Sequence, residues 1–220
     1  MILMMKIDKL LWLVLFFGSV SQAVFASLPD YCGKLENAYG PYDYTNPDHR
    51  ANMLPRVDGA HFTPPVEQLR YGKSGPVWAD IDYTLRAFPN HHRALFAMMR
   101  YQVKLETPVE PYRAGRNVLL PIECYFLRAI EFKPFDSTVH MLFGTYFYKI
   151  NKPKEAIERY KLALKLKPDY AEAHYNLGLL FFNLKDYSAA REQADKAYGL
   201  GYPLTGLKNK LASIDKATKP

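Results

Sequence analysis

Few residues of this chain have the types and spacing that chemistry needs. Gly72-Lys73-Ser74 resembles the end of a phosphate-cradling loop, but the earlier glycine of such a loop is replaced by Glu67, and no strand–loop–helix pattern surrounds it. His91 and His92 are adjacent, so on a helix they point apart, whereas ligation of a metal from a helix needs a spacing such as i, i+4. They read as a surface pair at a helix start, and Asp80 and Asp82 likewise read as solvated carboxylates at a helix start. His140 and His174 occupy matching positions in two apolar stripes and read as packing residues. No Ser/His/Asp or Cys/His set has defensible spacing. The expectation is a chain with no catalytic residue, no metal ligand set and no cofactor.

The elements that would position any site begin after an N-terminal segment of a different kind. Residues 1–26 read as a secretory signal: Lys6 and Lys9 precede an apolar run from Leu10 to Val20, and Val24-Phe25-Ala26 suits cleavage before Ser27. The run is shorter than the ~20 residues of a membrane span. An exported, periplasmic protein is expected, with secretion or an uncleaved anchor as the other outcomes. Without those residues the formal charge of +7 becomes +6, since two lysines and Asp8 leave. The surplus favours anionic partners, but the basic residues are dispersed and export argues against nucleic acid. Export also makes a bridge between Cys32 and Cys124 feasible; two unpaired thiols are the other reading.

Residues 27–76 carry Pro29, Pro41, Pro47, Pro55, Pro64 and Pro65 and are expected to be irregular. Their tyrosines, Tyr39, Tyr42 and Tyr44 among them, argue against disorder and for a segment pinned to the body of the protein. Residues 77–136 read as a degenerate helical region. Helices are expected from Val77 to Phe88, over 92–105 and over 117–132, with a loop at 106–116. Residues 205–220 read as a capping helix and tail.

The most informative stretch is 137–204. Shifted by 34 residues, it matches itself at seven positions, among them His140 and His174, Gly144 and Gly178, Ala156 and Ala190, and Ala163 and Ala197. A period of this length marks a stacked helical repeat. His140, Phe143, Gly144 and Phe147 lie at i, i+3, i+4 and i+7, as do His174, Leu177, Gly178 and Phe181, so each set forms one helix face. A recurring glycine, unfavourable inside a helix by about 1 kcal/mol, implies close packing against the alanines of a second helix.

These residues resemble the tetratricopeptide repeat: His140, Phe143-Gly144, Phe147, Ala156, Tyr160, Ala163 and Pro168 in one copy, His174, Leu177-Gly178, Phe181, Ala190, Ala194 and Ala197 in the next. The second copy departs from the pattern, with Ala194 where an aromatic is usual and its closing proline displaced to Pro203, and so reads as a terminal copy. The resemblance implies an all-α fold, a short tetratricopeptide-type helical solenoid of about three repeats behind the irregular N-terminal region. It also implies a concave groove lined by the first helix of each copy. Carried over by repeat position, the groove residues are Thr138, Met141, Thr145, Tyr148 and Lys149, then Glu172, Tyr175, Leu179, Phe182 and Asn183. The degenerate copy adds Arg93, Phe96, Arg100, Val103 and Lys104.

Such a groove suits a peptide or helix of another protein, with apolar anchors and an acidic end. The role implied is adaptor or assembly factor of an envelope complex, adjacent to the membrane through that complex. The alternative is an accessory factor for an acidic envelope polysaccharide, or an enzyme-associated subunit. A competing occupant of the groove is the chain's own tyrosine-rich N-terminal segment.

Overall fold

The computed structural model describes residues 28–105, 112–114 and 117–217. The export signal read above lies outside the described residues, as does most of the 106–116 loop. Six helices form three consecutive hairpins: α5 (His92–Leu105) with α6 (Ile122–Phe132), α7 (Ser137–Lys149) with α8 (Pro153–Leu166), and α9 (Ala171–Asn183) with α10 (Tyr187–Gly199). The first helices α5, α7 and α9 stack along the array, α4 (Val77–Ala87) packs on α5 before it, and α11 (Gly206–Ala217) closes it against α9 and α10. This is the helical solenoid expected.

Local chemistry sets the helix limits. Asp136 caps α7, its carboxylate accepting from the backbone N–H of Thr138 and Val139. Pro153 opens α8 at a position where a missing N–H is harmless. Both α7 and α9 end on carbonyls closed by residues in the left-handed region two or three positions later, Asn151 at φ 58° and Lys185 at φ 64°.

The two repeated glycines do different work. A Cβ on Gly144 would lie 2.8 and 2.9 Å from ring carbons of Tyr160, which is wholly buried. A Cβ on Gly178 would lie 2.6 Å from a terminal methyl of Leu207, with its next neighbour at 3.3 Å. A buried ring wedged between helices yields less than the end of an aliphatic chain. Gly144→Ala is therefore expected to destabilise by about 1–3 kcal/mol despite the helix propensity of alanine, and Gly178→Ala by about 1 kcal/mol less. Urea unfolding of the two variants checks the order; a milder Gly144→Ala would contradict it.

Three readings of the sequence need correction. Residues 27–76 hold helices α1 (Pro47–Asn52), α2 (Leu54–His61) and α3 (Pro64–Glu67). Pro47, Pro55, Pro64 and Pro65, read as breakers, sit in first turns, where proline starts a helix. Asn46 completes the first of these starts by accepting from Asp48 and His49 N–H. The helix expected from residue 117 begins at Ile122; residues 117–119 instead form a strand, β2 (Asn117–Leu119), paired antiparallel with β1 (Tyr112–Ala114). Gln102 ends this detour, its amide donating to Leu120 O at 2.8 Å and accepting from Ile122 N at 2.8 Å.

The third correction concerns charge. Asp80 and Asp82 are buried. Asp80 accepts from the backbone N–H of Lys73 (2.6 Å) and Ser74 (3.0 Å) and faces His61 at 2.9 Å. The Gly72-Lys73-Ser74 loop thus closes on a carboxylate of the chain itself. Asp82 accepts from the Tyr125 hydroxyl at 3.0 Å and pairs with Arg86 at 3.0 Å.

His91 is buried as well, not a surface residue. Its Nδ1 accepts the Ala94 N–H at 3.2 Å at the start of α5, leaving Nε2–H to donate to Asp58 at 3.1 Å. The bond at Nδ1 requires the neutral ring, whereas the bond to Asp58 would be made by either form. Burial pushes its pKa down from the ordinary value of 6.5, against the pull of Asp58, and burial lowers His140 in the same way. An unfolded chain takes these protons near pH 6.5 while the folded chain resists them. The associated stability is complete above that pH and is lost as pH falls below it, by up to about 1.4 kcal/mol per pH unit for each histidine. Thermal melts between pH 7.5 and 5 should show this fall, and His91→Asn, which keeps a capping acceptor, should make it shallower, leaving the share that belongs to His140.

Candidate functional site

The N-terminal segment is fastened to α4, α5 and the α6–α7 turn. Phe62 and Val66 enter the main core, while Tyr39, Tyr42 and Tyr44 pack around Val57 and Phe88. Tyr42 N–H donates to Ala87 O at 2.8 Å and Tyr44 N–H to Asn90 Oδ1 at 2.9 Å. Asn90 in turn donates to Asp43 at 2.9 Å and to Asp136 at 3.0 Å, and Lys133 pairs with Asp43 at 2.7 Å. Burial would raise Asp43, but the bonds from Lys133, Thr45 and Asn90 outweigh it and hold the carboxyl well below the usual range. His92 pairs with Asp136 at 2.8 Å at the same junction. Upstream, Cys32 and Cys124 are joined in a disulfide, and buried Arg128 donates to Cys32 O at 3.2 Å and to Lys34 O.

The residues carried over to the groove divide into three groups. Met141, 2 % exposed, and Tyr175, 7 % exposed, are inside the packing. Asn176 reaches the Met141 sulfur from α9, and the Tyr175 ring lies 4.5 Å from that of Tyr202, tilted by 36°, near the start of α11. A second group joins adjacent copies at the surface: the Asn183 amide donates to the Tyr148 hydroxyl, linking α9 to α7. Tyr160 donates to Thr145 Oγ1 at 3.1 Å, and Thr145 donates to Met141 O at 3.1 Å. Partial burial raises the Tyr148 hydroxyl pKa, so the hydroxyl keeps its proton while it accepts from Asn183. Around this bridge lie exposed Lys149 and the partly exposed rings and chains of Leu179 and Phe182. Lys210 of α11 sits 5.4 Å over the Phe182 ring. The third group is on α5, where Arg93, Arg100 and Lys104 are exposed and Phe96 is 40 % exposed.

Sequence reasoning missed Glu67 and Lys210. Glu67 holds Arg93 through two bonds, one of 2.8 Å from Nε. Nothing local marks either residue, because each acts on a helix that only the fold brings near. Among the described residues no group of histidine, cysteine and carboxylate side chains is set to hold a metal, and no helix is long and apolar enough to cross a membrane.

Comparison with known proteins bears on the same stretch. A family model described as "TPR repeat" matches residues 144–185, and one described as "Tetratricopeptide repeat" matches residues 171–200. A peroxisomal targeting signal receptor of Kluyveromyces lactis is 34 % identical over 89 residues, covering 39 % of this chain and 16 % of the receptor. That of Candida albicans is 35 % identical over 71 residues, covering 32 % of this chain and 12 % of the receptor. The chain thus spans a small part of the relatives it matches. A crystal structure of MamA aligns with 64 % of this chain and 77 % of its own, at 17 % identity and a TM-score of 0.47. With Gly144 and Gly178 in register, first and second helices paired, and both family matches on the α7–α10 hairpins, residues 144–200 of this chain are tetratricopeptide repeats.

Proposed function

We propose that the protein is an exported adaptor or assembly factor of an envelope complex, binding a peptide or helix of another protein in the groove of its repeats. The tetratricopeptide repeats make it a protein–protein interaction module; the compartment, the complex and the groove as the binding surface are this reading's own. The observation that carries it is the surface formed by Tyr148, Asn183, Leu179 and Phe182 on α7 and α9, polar at its centre and apolar beside it. That mixture of aromatic anchors and fixed hydrogen-bonding groups suits a peptide. The N-terminal segment, the competing occupant, packs on α4 and α5, where its Glu67 engages the groove position Arg93. The relatives named as targeting-signal receptors support recognition of another protein.

A photo-crosslinking residue placed at Phe182, compared with one at the exposed second-helix position Lys161, tests the groove. A protein adduct from envelope fractions at position 182 and none at 161 is expected. Adducts of equal yield at both, or salt-sensitive binding to acidic polysaccharide with no adduct, would sink the groove reading. Export is checked separately by fractionation, with a mature N-terminus at Ser27 as the expected result.

A further inference from the structure

Arg93, Phe96, Arg100 and Lys104 follow one another at i, i+3, i+7 and i+11, so they form a single stripe along α5. Glu67 sits at its N-terminal end. It belongs to the N-terminal segment, held there by buried Phe62 and Val66, and it engages Arg93 through both carboxylate oxygens. The Arg93 guanidinium also lies 5.7 Å over the Phe62 ring. The bond from Arg93 holds the Glu67 carboxyl below its ordinary range, with Arg100 adding a smaller pull. Further along, Arg100 lies 5.8 Å over the exposed ring of Phe96. Among the described residues no carboxylate pairs with Arg100 or Lys104.

We infer that this stripe is a recognition strip for an acidic peptide segment, and that Glu67 is the chain's own carboxylate on its first position. The inference rests on the groove reading above and names the chemistry of the partner. Charge complementarity supplies the argument. The stripe offers three cations and an exposed ring, and one cation already carries an acidic side chain from a short extended-and-helical segment. The spacing adds a constraint. Arg100 and Lys104 are four residues apart on a helix, about 6 Å along its axis. An extended peptide advances about 3.3 Å per residue, so carboxylates two residues apart reach both. Phe96 lies one turn before Arg100, again about 6 Å along the axis, so an apolar side chain two residues from the first carboxylate, on the same face of the extended peptide, covers it. The ligand pattern is apolar, any residue, acidic, any residue, acidic, along one face of an extended segment.

The test uses a labelled peptide carrying Phe-Ser-Glu-Ser-Glu, a counterpart carrying Phe-Ser-Gln-Ser-Gln, and the full chain, read by fluorescence anisotropy. The acidic peptide is expected to bind about tenfold or more tightly than its neutral counterpart, and progressively less as salt rises. The Arg100→Gln/Lys104→Gln double variant, altered only at exposed positions, should lose about tenfold or more, and Glu67→Gln should gain severalfold by freeing Arg93. Equal binding of the two peptides, or a double variant that binds the acidic peptide as the parent does, overturns the inference. Adduct yield from position 182, measured in the same double variant, reports separately on whether the groove reading stands.

Discussion

Opening the Cys32–Cys124 bridge is expected to lower the thermal midpoint of the protein by about 5–15 °C. The bridge joins residues 92 apart in sequence. Closing so long a loop in the unfolded chain is worth about 4–5 kcal/mol at most, and measured losses of native bridges run at about 2–5 kcal/mol. For a chain of this size each kcal/mol moves the midpoint by roughly 2–4 °C. The loss is softened because Arg128 still holds the carbonyls of Cys32 and Lys34, so the residues around the 3-10 turn Asp30–Cys32 should loosen before the repeats do. Calorimetry of the Cys32→Ser/Cys124→Ser variant against the parent, with hydrogen exchange over residues 28–39, measures both effects. An unchanged midpoint would show that the bridge adds nothing to the folded state. The same bridge gives the export proposal a chemical check, since such bonds persist in oxidising compartments and are rare in reducing ones.

What could be read in the sequence was whatever repeats or alternates locally. The 34-residue period, with glycine facing alanine in register, located the α7–α10 hairpins because that packing is built from neighbours in the chain. The N-terminal region resisted for the opposite reason. A proline breaks a helix or starts one according to its position, and whether Pro47, Pro55 or Pro64 starts one depends on the residues around it being paid in tertiary contacts, such as Val57 against Phe88. The same holds for charge. Asp82 is buried because a hydroxyl arrives from Tyr125, 43 residues away, and His91 because a carboxylate arrives from Asp58, 33 residues away. Among the groove positions, register assigned the helix face, but it could not tell Met141 and Tyr175, sealed by the next helix, from Tyr148 and Phe182, left at the surface.

The departure of the second repeat from its pattern has a structural cause that can be tested by exchange. In the first copy the space over Gly144 is filled by Tyr160; one period later, over Gly178, the aromatic is replaced by Ala194, and Leu207 of α11 fills the space instead. Leu207 is fully buried, among Tyr175, Ala190, Ala194 and Ala197. Leu207→Ala should therefore cost about 2–5 kcal/mol and release α11, whose remaining ties include Leu211 and the exposed Arg191–Asp215 pair, the latter worth under about 1 kcal/mol. Ala194→Tyr alone should also destabilise, by about 1–3 kcal/mol or more, since its ring and Leu207 claim one volume. Combined, the two substitutions recreate the arrangement of the first copy, a tyrosine ring over a glycine with no leucine above it. The double variant is expected to be more stable than the sum of the single losses predicts, by at least about 1.5 kcal/mol, within the range seen for residues in direct contact. Denaturant unfolding of the four proteins closes the cycle. Simple additivity would mean that the two side chains do not compete for the space over Gly178, and that the alanine at 194 needs a different explanation from the presence of the cap.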